Sequence, residues 1–167
     1  MKNLLGITLV FLAFWANAQQ MEIQLDGVAM FDGNNFMVSD AGSDFSSNIE
    51  CESSLLLSIN SGDEWDERNN PNRKWKIEVR KEDMNWKDAV KLGIVRKGNG
   101  MWQNNKGNSG HIYNGTNYQA IDNTSSYFFG GKGLITDIPI QLRLSGFSIA
   151  NGANDYETNV ILTIYDD

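Results

Sequence analysis

Residues 75–80 read Trp75-Lys76-Ile77-Glu78-Val79-Arg80, an apolar and a charged side chain in strict turn. Successive side chains on an extended backbone point to opposite faces, so Trp75, Ile77 and Val79 share one side. Lys74, Lys76, Glu78 and Arg80 share the other. One greasy face and one wetted face predict a half-buried strand in an antiparallel sheet. The same period governs Ile138 to Leu144, where Ile138, Ile140, Leu142 and Leu144 alternate with Gln141 and Arg143. Pro139 is expected near the start of that strand, where a missing N–H is tolerated. From Tyr156 to Tyr165, Tyr156, Thr158, Val160, Leu162 and Ile164 form one face, and Asn159, Ile161, Thr163 and Tyr165 the other.

Shorter candidates are Met21–Leu25, Val28–Phe31, Leu55–Ile59, Leu92–Val95, Ile112–Tyr113 with Tyr118–Ile121, and Tyr127–Phe129. The connections are rich in Gly, Asn, Asp and Ser, as in Asp32-Gly33-Asn34-Asn35, Gly98-Asn99-Gly100, Asn104 to Gly110 and Asn151-Gly152. These residues accept a positive φ or bond their own backbone, and so separate strands. Gly130-Gly131-Lys132-Gly133 lacks the spacing of a phosphate loop and is read as another connecting turn. Only Glu82 to Val90 has room for a helical turn. About eight or nine strands with such punctuation predict an all-β, antiparallel sandwich, immunoglobulin-like, with a barrel as the alternative closure.

The chain begins MKNLLGITLVFLAFWANAQQ. A basic Lys2, an apolar run from Leu4 to Trp15 and the small-x-small site Ala16-Asn17-Ala18 are the three parts of an export signal. The apolar run is shorter than the roughly 20 residues a membrane-spanning helix needs. Residues 1–18 are therefore expected to be removed, leaving 19–167 as one domain that is secreted, periplasmic or held at the cell surface. No cysteine stands at the cleavage site, which argues against a lipid anchor, and no later segment has the length and apolarity to span.

The 167 residues carry 14 basic and 21 acidic side chains, net −7, and losing Lys2 with the leader makes the balance −8. An acidic domain repels phosphate backbones and anionic headgroups, so neither nucleic acid nor a membrane surface is an expected partner. Cys51 is the single cysteine, so no internal disulfide can form and the core must hold the fold. A domain of about 150 residues buries enough surface to do so, and Cys51 is expected inside it as a small hydrophobe.

Catalytic constellations are scarce. His111 is the single histidine, and with one cysteine the usual zinc ligand sets cannot be assembled. Glu50 and Glu52 flank Cys51 and would raise a thiol pKa, the wrong direction for a nucleophile. Paired carboxylates are plentiful, notably Asp63, Glu64, Asp66 and Glu67, yet without defined spacing they specify neither a hydrolase nor a calcium loop. No enzyme, metal or cofactor is expected.

The aromatics carry more. Trp65, Trp102, Tyr113 and Tyr118 fall near turns among Asn, Gln and Asp, where flat rings can stack on sugars and amides can bond hydroxyls. Glycans are thus one expected partner. Asn114-Gly115-Thr116 and Asn123-Thr124-Ser125 match glycosylation sequons, which matter in a eukaryotic secretory route.

The two ends suggest a second mode. Met21, Ile23, Leu25, Gly27 and Ala29 recur at every second position, and the last strand ends in Val160, Leu162, Ile164 and Tyr165. This arrangement resembles bacterial surface-fibre subunits, the pilins and the spore coat protein U-like proteins. The resemblance implies an immunoglobulin-like domain completed by a neighbour's N-terminal strand, with the first set as donor and the second as receiving edge. Copies of the chain itself, or other surface proteins, would be the partners. Here Tyr165 is third from the end rather than penultimate. The disulfide common in such subunits cannot form. The expected function is a secreted, non-catalytic sandwich with a structural or adhesive role, with carbohydrate binding as the alternative and a small carboxylate hydrolase as a third.

Overall fold

In a computed structural model the protein is described over residues 21–31, 44–45, 48–61, 73–103, 110–149 and 156–167. Residues 1–18, expected to be an export signal, lie outside these residues, as do Trp65 and the acidic run 63–67. The strands are β1 (Met21–Asp26), β2 (Asn48–Glu50), β3 (Leu55–Ser61), β4 (Lys74–Asn85), β5 (Lys91–Arg96), β6 (Met101–Trp102), β7 (His111–Tyr113), β8 (Gln119–Ala120), β9 (Ser126–Lys132), β10 (Ile135–Ser145) and β11 (Glu157–Asp166). They form two antiparallel sheets, an all-β sandwich. The larger runs β1-β3-β10-β5-β8, with β2 and β6 also on β10, and the smaller runs β11-β4-β9-β7.

The alternation read from the sequence gives the core. Trp75, Ile77 and Val79 of β4 are fully buried, as are Ile138 and Ile140 of β10, and Leu142 and Leu144 are nearly so. Ile164 is buried, and Val160, Leu162 and Tyr156 pack partly against the same cluster. Cys51 is buried too: its Sγ donates to the Ser53 carbonyl and receives the Leu142 N–H. It fills space and satisfies backbone groups at once.

Two bulges place what plain alternation would misplace. Ile77 pairs with Phe129 but Glu78 pairs with Tyr127, so Phe128 is the extra residue in β9. Phe128 and Phe129 consequently both turn inward, meeting edge to face at 4.8 Å, and Trp75 meets Phe129 at 5.9 Å. In β10 one extra residue lies between Ile135 and Ile138, where Asp137 takes φ 55° and its N–H is received by Ser58 Oγ.

Pro139 therefore stands within β10 rather than near its start. β5 has ended at Arg96 and β6 has yet to begin, so the missing N–H breaks no ladder bond at that gap. Other expectations are corrected as well. Gly130 and Gly131 belong to β9 and are not a turn. Val28–Phe31 is not a strand. β4 runs through Asn85, and only a hydrogen-bonded turn, Val90 N–H to the Lys87 carbonyl, remains of the helical reading.

Candidate functional site

The outer face of the smaller sheet gathers residues far apart in sequence. Pairing sets Lys74 of β4 directly opposite Lys132 of β9, and Lys132 directly opposite His111 of β7. One step along, Tyr165, Lys76, Gly130 and Tyr113 form the next row across all four strands. Trp75, Ile77, Phe129 and Ile112 are buried on the opposite side of these strands, so both rows face outward.

Gly130 shapes this surface. A Cβ there would lie 2.8 Å from Tyr113 Cε2 and 2.9 Å from both the Tyr113 hydroxyl and the Trp75 carbonyl. The Tyr113 ring thus lies down across the strand in place of a side chain. His111 stands beside it, ring centroids 6.3 Å apart and planes inclined by 32°. Lys74, Gly110, His111, Tyr113 and Lys132 line a shallow hollow of about 380 Å³. Partial burial, with the Asp167 carboxylate next, holds the Tyr113 hydroxyl above its ordinary range. Arg73 pairs with Asp166, and Lys76 sits 5.8 Å over the Tyr165 ring. Among the described residues, Lys74 and Lys132 have no carboxylate within ion-pair distance.

The other aromatics do not converge here. Trp102 packs against Gly110 and Gly133, where any Cβ would overlap the indole, so it seals the end of the sandwich beside the hollow. Tyr118 lies on the outer face of the larger sheet over Gly93. Its ring is covered by the Arg143 guanidinium at 3.9 Å and its hydroxyl donates to Gln141 Oε1. Burial, then the neighbouring Glu50 carboxylate, pushes its pKa up to about 12.

The two terminal segments lie on neighbouring edges. β1 pairs with β3 of its own chain from Met21↔Ser61 to Asp26↔Leu56, while β11 pairs with β4. Met21 is buried and Ile23 and Ala29 pack against the core, but Leu25 is 47% exposed and Gly27 takes φ 106°. Tyr165 faces outward at the edge of the smaller sheet. Glu50 and Glu52 are exposed. Among the described residues no cluster of three or more His, Cys, Asp or Glu can hold a metal ion, and no helix is long and apolar enough to cross a membrane.

Lys132 and Gly130 were hidden by the turn reading of Gly130–Gly133. The signal that finds them is the cross-strand register, since Lys74 and Lys76 already point outward by alternation. Compared with known proteins, the chain matches no protein-family model, and neither a curated protein nor a solved structure matches it significantly.

Proposed function

We propose that the mature chain is a non-catalytic, immunoglobulin-like sandwich working outside the cytoplasm in an adhesive role, gripping extracellular carbohydrate with the outer face of its smaller sheet. The observation that carries this reading is the Tyr113 ring laid across Gly130 beside His111. A flat apolar face edged by polar groups suits the face of a pyranose ring. Tyr118 offers less, because Arg143 occupies its ring. The export signal supplies the address, and two antiparallel sheets filled by one apolar cluster support a binding scaffold.

A glycan array probed with the mature protein tests the reading. Hits that weaken at least tenfold in Tyr113→Ala, while Tyr118→Phe binds normally, support it. An array with no hits, or hits indifferent to Tyr113→Ala, overturns it.

A further inference from the structure

The chain is acidic overall, yet the row Lys74–Lys132–His111 places one cation directly opposite another. Like charges in directly opposed cross-strand positions destabilise a sheet. In a protein with 21 acidic residues against 14 basic ones, a carboxylate would be the ordinary partner for either lysine. Arg73, Arg80 and Lys81 each have one, in Asp166, Glu82 and Asp83. The lysine pair has none within ion-pair distance among the described residues, Asp167 lying beyond it on the β11 side of Lys74, and it borders the aromatic hollow.

Resting on the carbohydrate reading above, we infer that the ligand is an acidic saccharide, a uronic-acid-bearing glycan whose ring stacks on Tyr113 while its carboxylates are received between Lys74 and Lys132. Neighbouring strands lie about 4.8 Å apart, so the two ammonium groups can close on one carboxylate or serve successive ones. An anion there removes the lysine–lysine repulsion, a gain that a neutral sugar cannot provide. Asp167 sets a limit at the β11 end of the same row, where its N–H bonds the Lys74 carbonyl and its carboxylate, beside the Tyr113 hydroxyl, repels anions. Charge complementarity is thus confined to the Lys74–Lys132 step of the row, away from Asp167, which favours a ligand with spaced single charges over a dense polyphosphate. The overall negative field disfavours nucleic acid for the same reason.

The test compares oligogalacturonate with a neutral gluco-oligosaccharide of equal length, by calorimetry at two salt concentrations. The probes are also run against Lys74→Gln/Lys132→Gln and Tyr113→Ala. The expected result is about tenfold tighter binding of the uronate, weakening with salt. The double lysine variant, melting no lower than the parent, should bind the two sugars equally, whereas Tyr113→Ala weakens both. Equal binding by the parent, or a preference that survives the double variant, overturns the acidic-ligand inference and leaves the carbohydrate reading standing. If neither sugar binds in any form, the carbohydrate reading falls too. Displacement of uronate by inorganic polyphosphate or single-stranded DNA at equal charge would overturn the saccharide assignment in favour of general anion binding.

Discussion

Tyr113 occupies the space that a side chain on Gly130 would need. The two residues face each other across β7 and β9, in the row beside Lys132. Adding a side chain should therefore lift the ring and also press on the Trp75 carbonyl. Gly130→Val is expected to destabilise the domain by about 1–3 kcal/mol, the usual cost of overpacking, and to abolish saccharide binding. Gly130→Ala should lose binding with a smaller loss of stability. Urea unfolding and calorimetry on the same samples check both.

The like-charged row makes a prediction of opposite sign. Lys132→Glu sets a carboxylate directly opposite Lys74 and His111. Replacing a repulsive pair by an exposed attractive one is expected to raise stability by about 0.5–1 kcal/mol. The same change should remove uronate binding. A domain that gains stability while losing its ligand shows that the lysines are retained for recognition, and thermal unfolding at low and high salt measures the first half.

Much of this was legible in the sequence. Period-two alternation found the inward faces of β4, β10 and β11, because a single buried face imposes its spacing on the residues themselves. The bulges were not legible, since Phe128 and Asp137 are displaced by how two strands meet rather than by their own neighbours. The candidate site was half legible for that reason. Outward-pointing Lys74 and Lys76 follow from local pattern, but Lys74, Lys132 and His111 become one row only through the register of three strands. Gly130-Gly131 looked like a turn because glycine breaks strands in isolation. Here the two glycines make room for Tyr113 on one face and Trp75 on the other.

Arg96 is buried with no carboxylate in hydrogen-bond contact among the described residues, and its guanidinium donates to the carbonyls of Asn114 and Gly98 and to Asn99 Oδ1. Desolvation lowers its pKa, but an arginine stays charged at any working pH. It ties the segment after β5 to the segment after β7, and so helps to set where β7 presents Tyr113. Arg96→Met should leave carbonyls unpaired and cost about 3 kcal/mol. Arg96→Lys should recover little, having no planar fork. Chemical denaturation ranks the three proteins.

Tyr118 gives the domain a dependence on alkaline pH. Its folded pKa, about 12, lies above the ordinary value of 10.0, so between those values the folded state holds a proton that the unfolded state has released. This contribution is complete below pH 10 and is lost as pH rises through about 12. Stability should decline over that window, and Tyr118→Phe should decline less steeply. Tyr113 is shifted in the same direction, so some slope remains in the variant. Thermal unfolding from pH 9 to 12 makes the comparison.

Cys51 should be silent to thiol reagents in the folded protein and fully reactive in denaturant, since it is 1% exposed. Cys51→Ser keeps an atom that can receive the Leu142 N–H and donate to the Ser53 carbonyl, whereas Cys51→Val keeps the volume and leaves that N–H unpaired. Which substitution is tolerated better weighs hydrogen bonding against apolar packing at one buried position. An orphaned buried donor costs about 1–3 kcal/mol, while a buried hydroxyl here retains both partners. Ser is accordingly expected to be the milder change in urea titrations.

The final prediction concerns whether β1 is kept or given away. It pairs with β3 along its whole length, and Met21 is buried at its start. If this closed form is the working state, the melting temperature is independent of protein concentration. Met21→Asp would then lower it by burying a charge without a partner, with no change in sedimentation. If instead β1 completes a neighbour, the fold is linked to association, and the melting temperature rises with concentration. A chain truncated at residue 29 would then be restored by added peptide spanning residues 19–29. The filled pairing of β1 with β3 predicts the first outcome. Adhesion would then come from the face carrying Tyr113 and the lysine row, with the edge strands serving to close the sandwich.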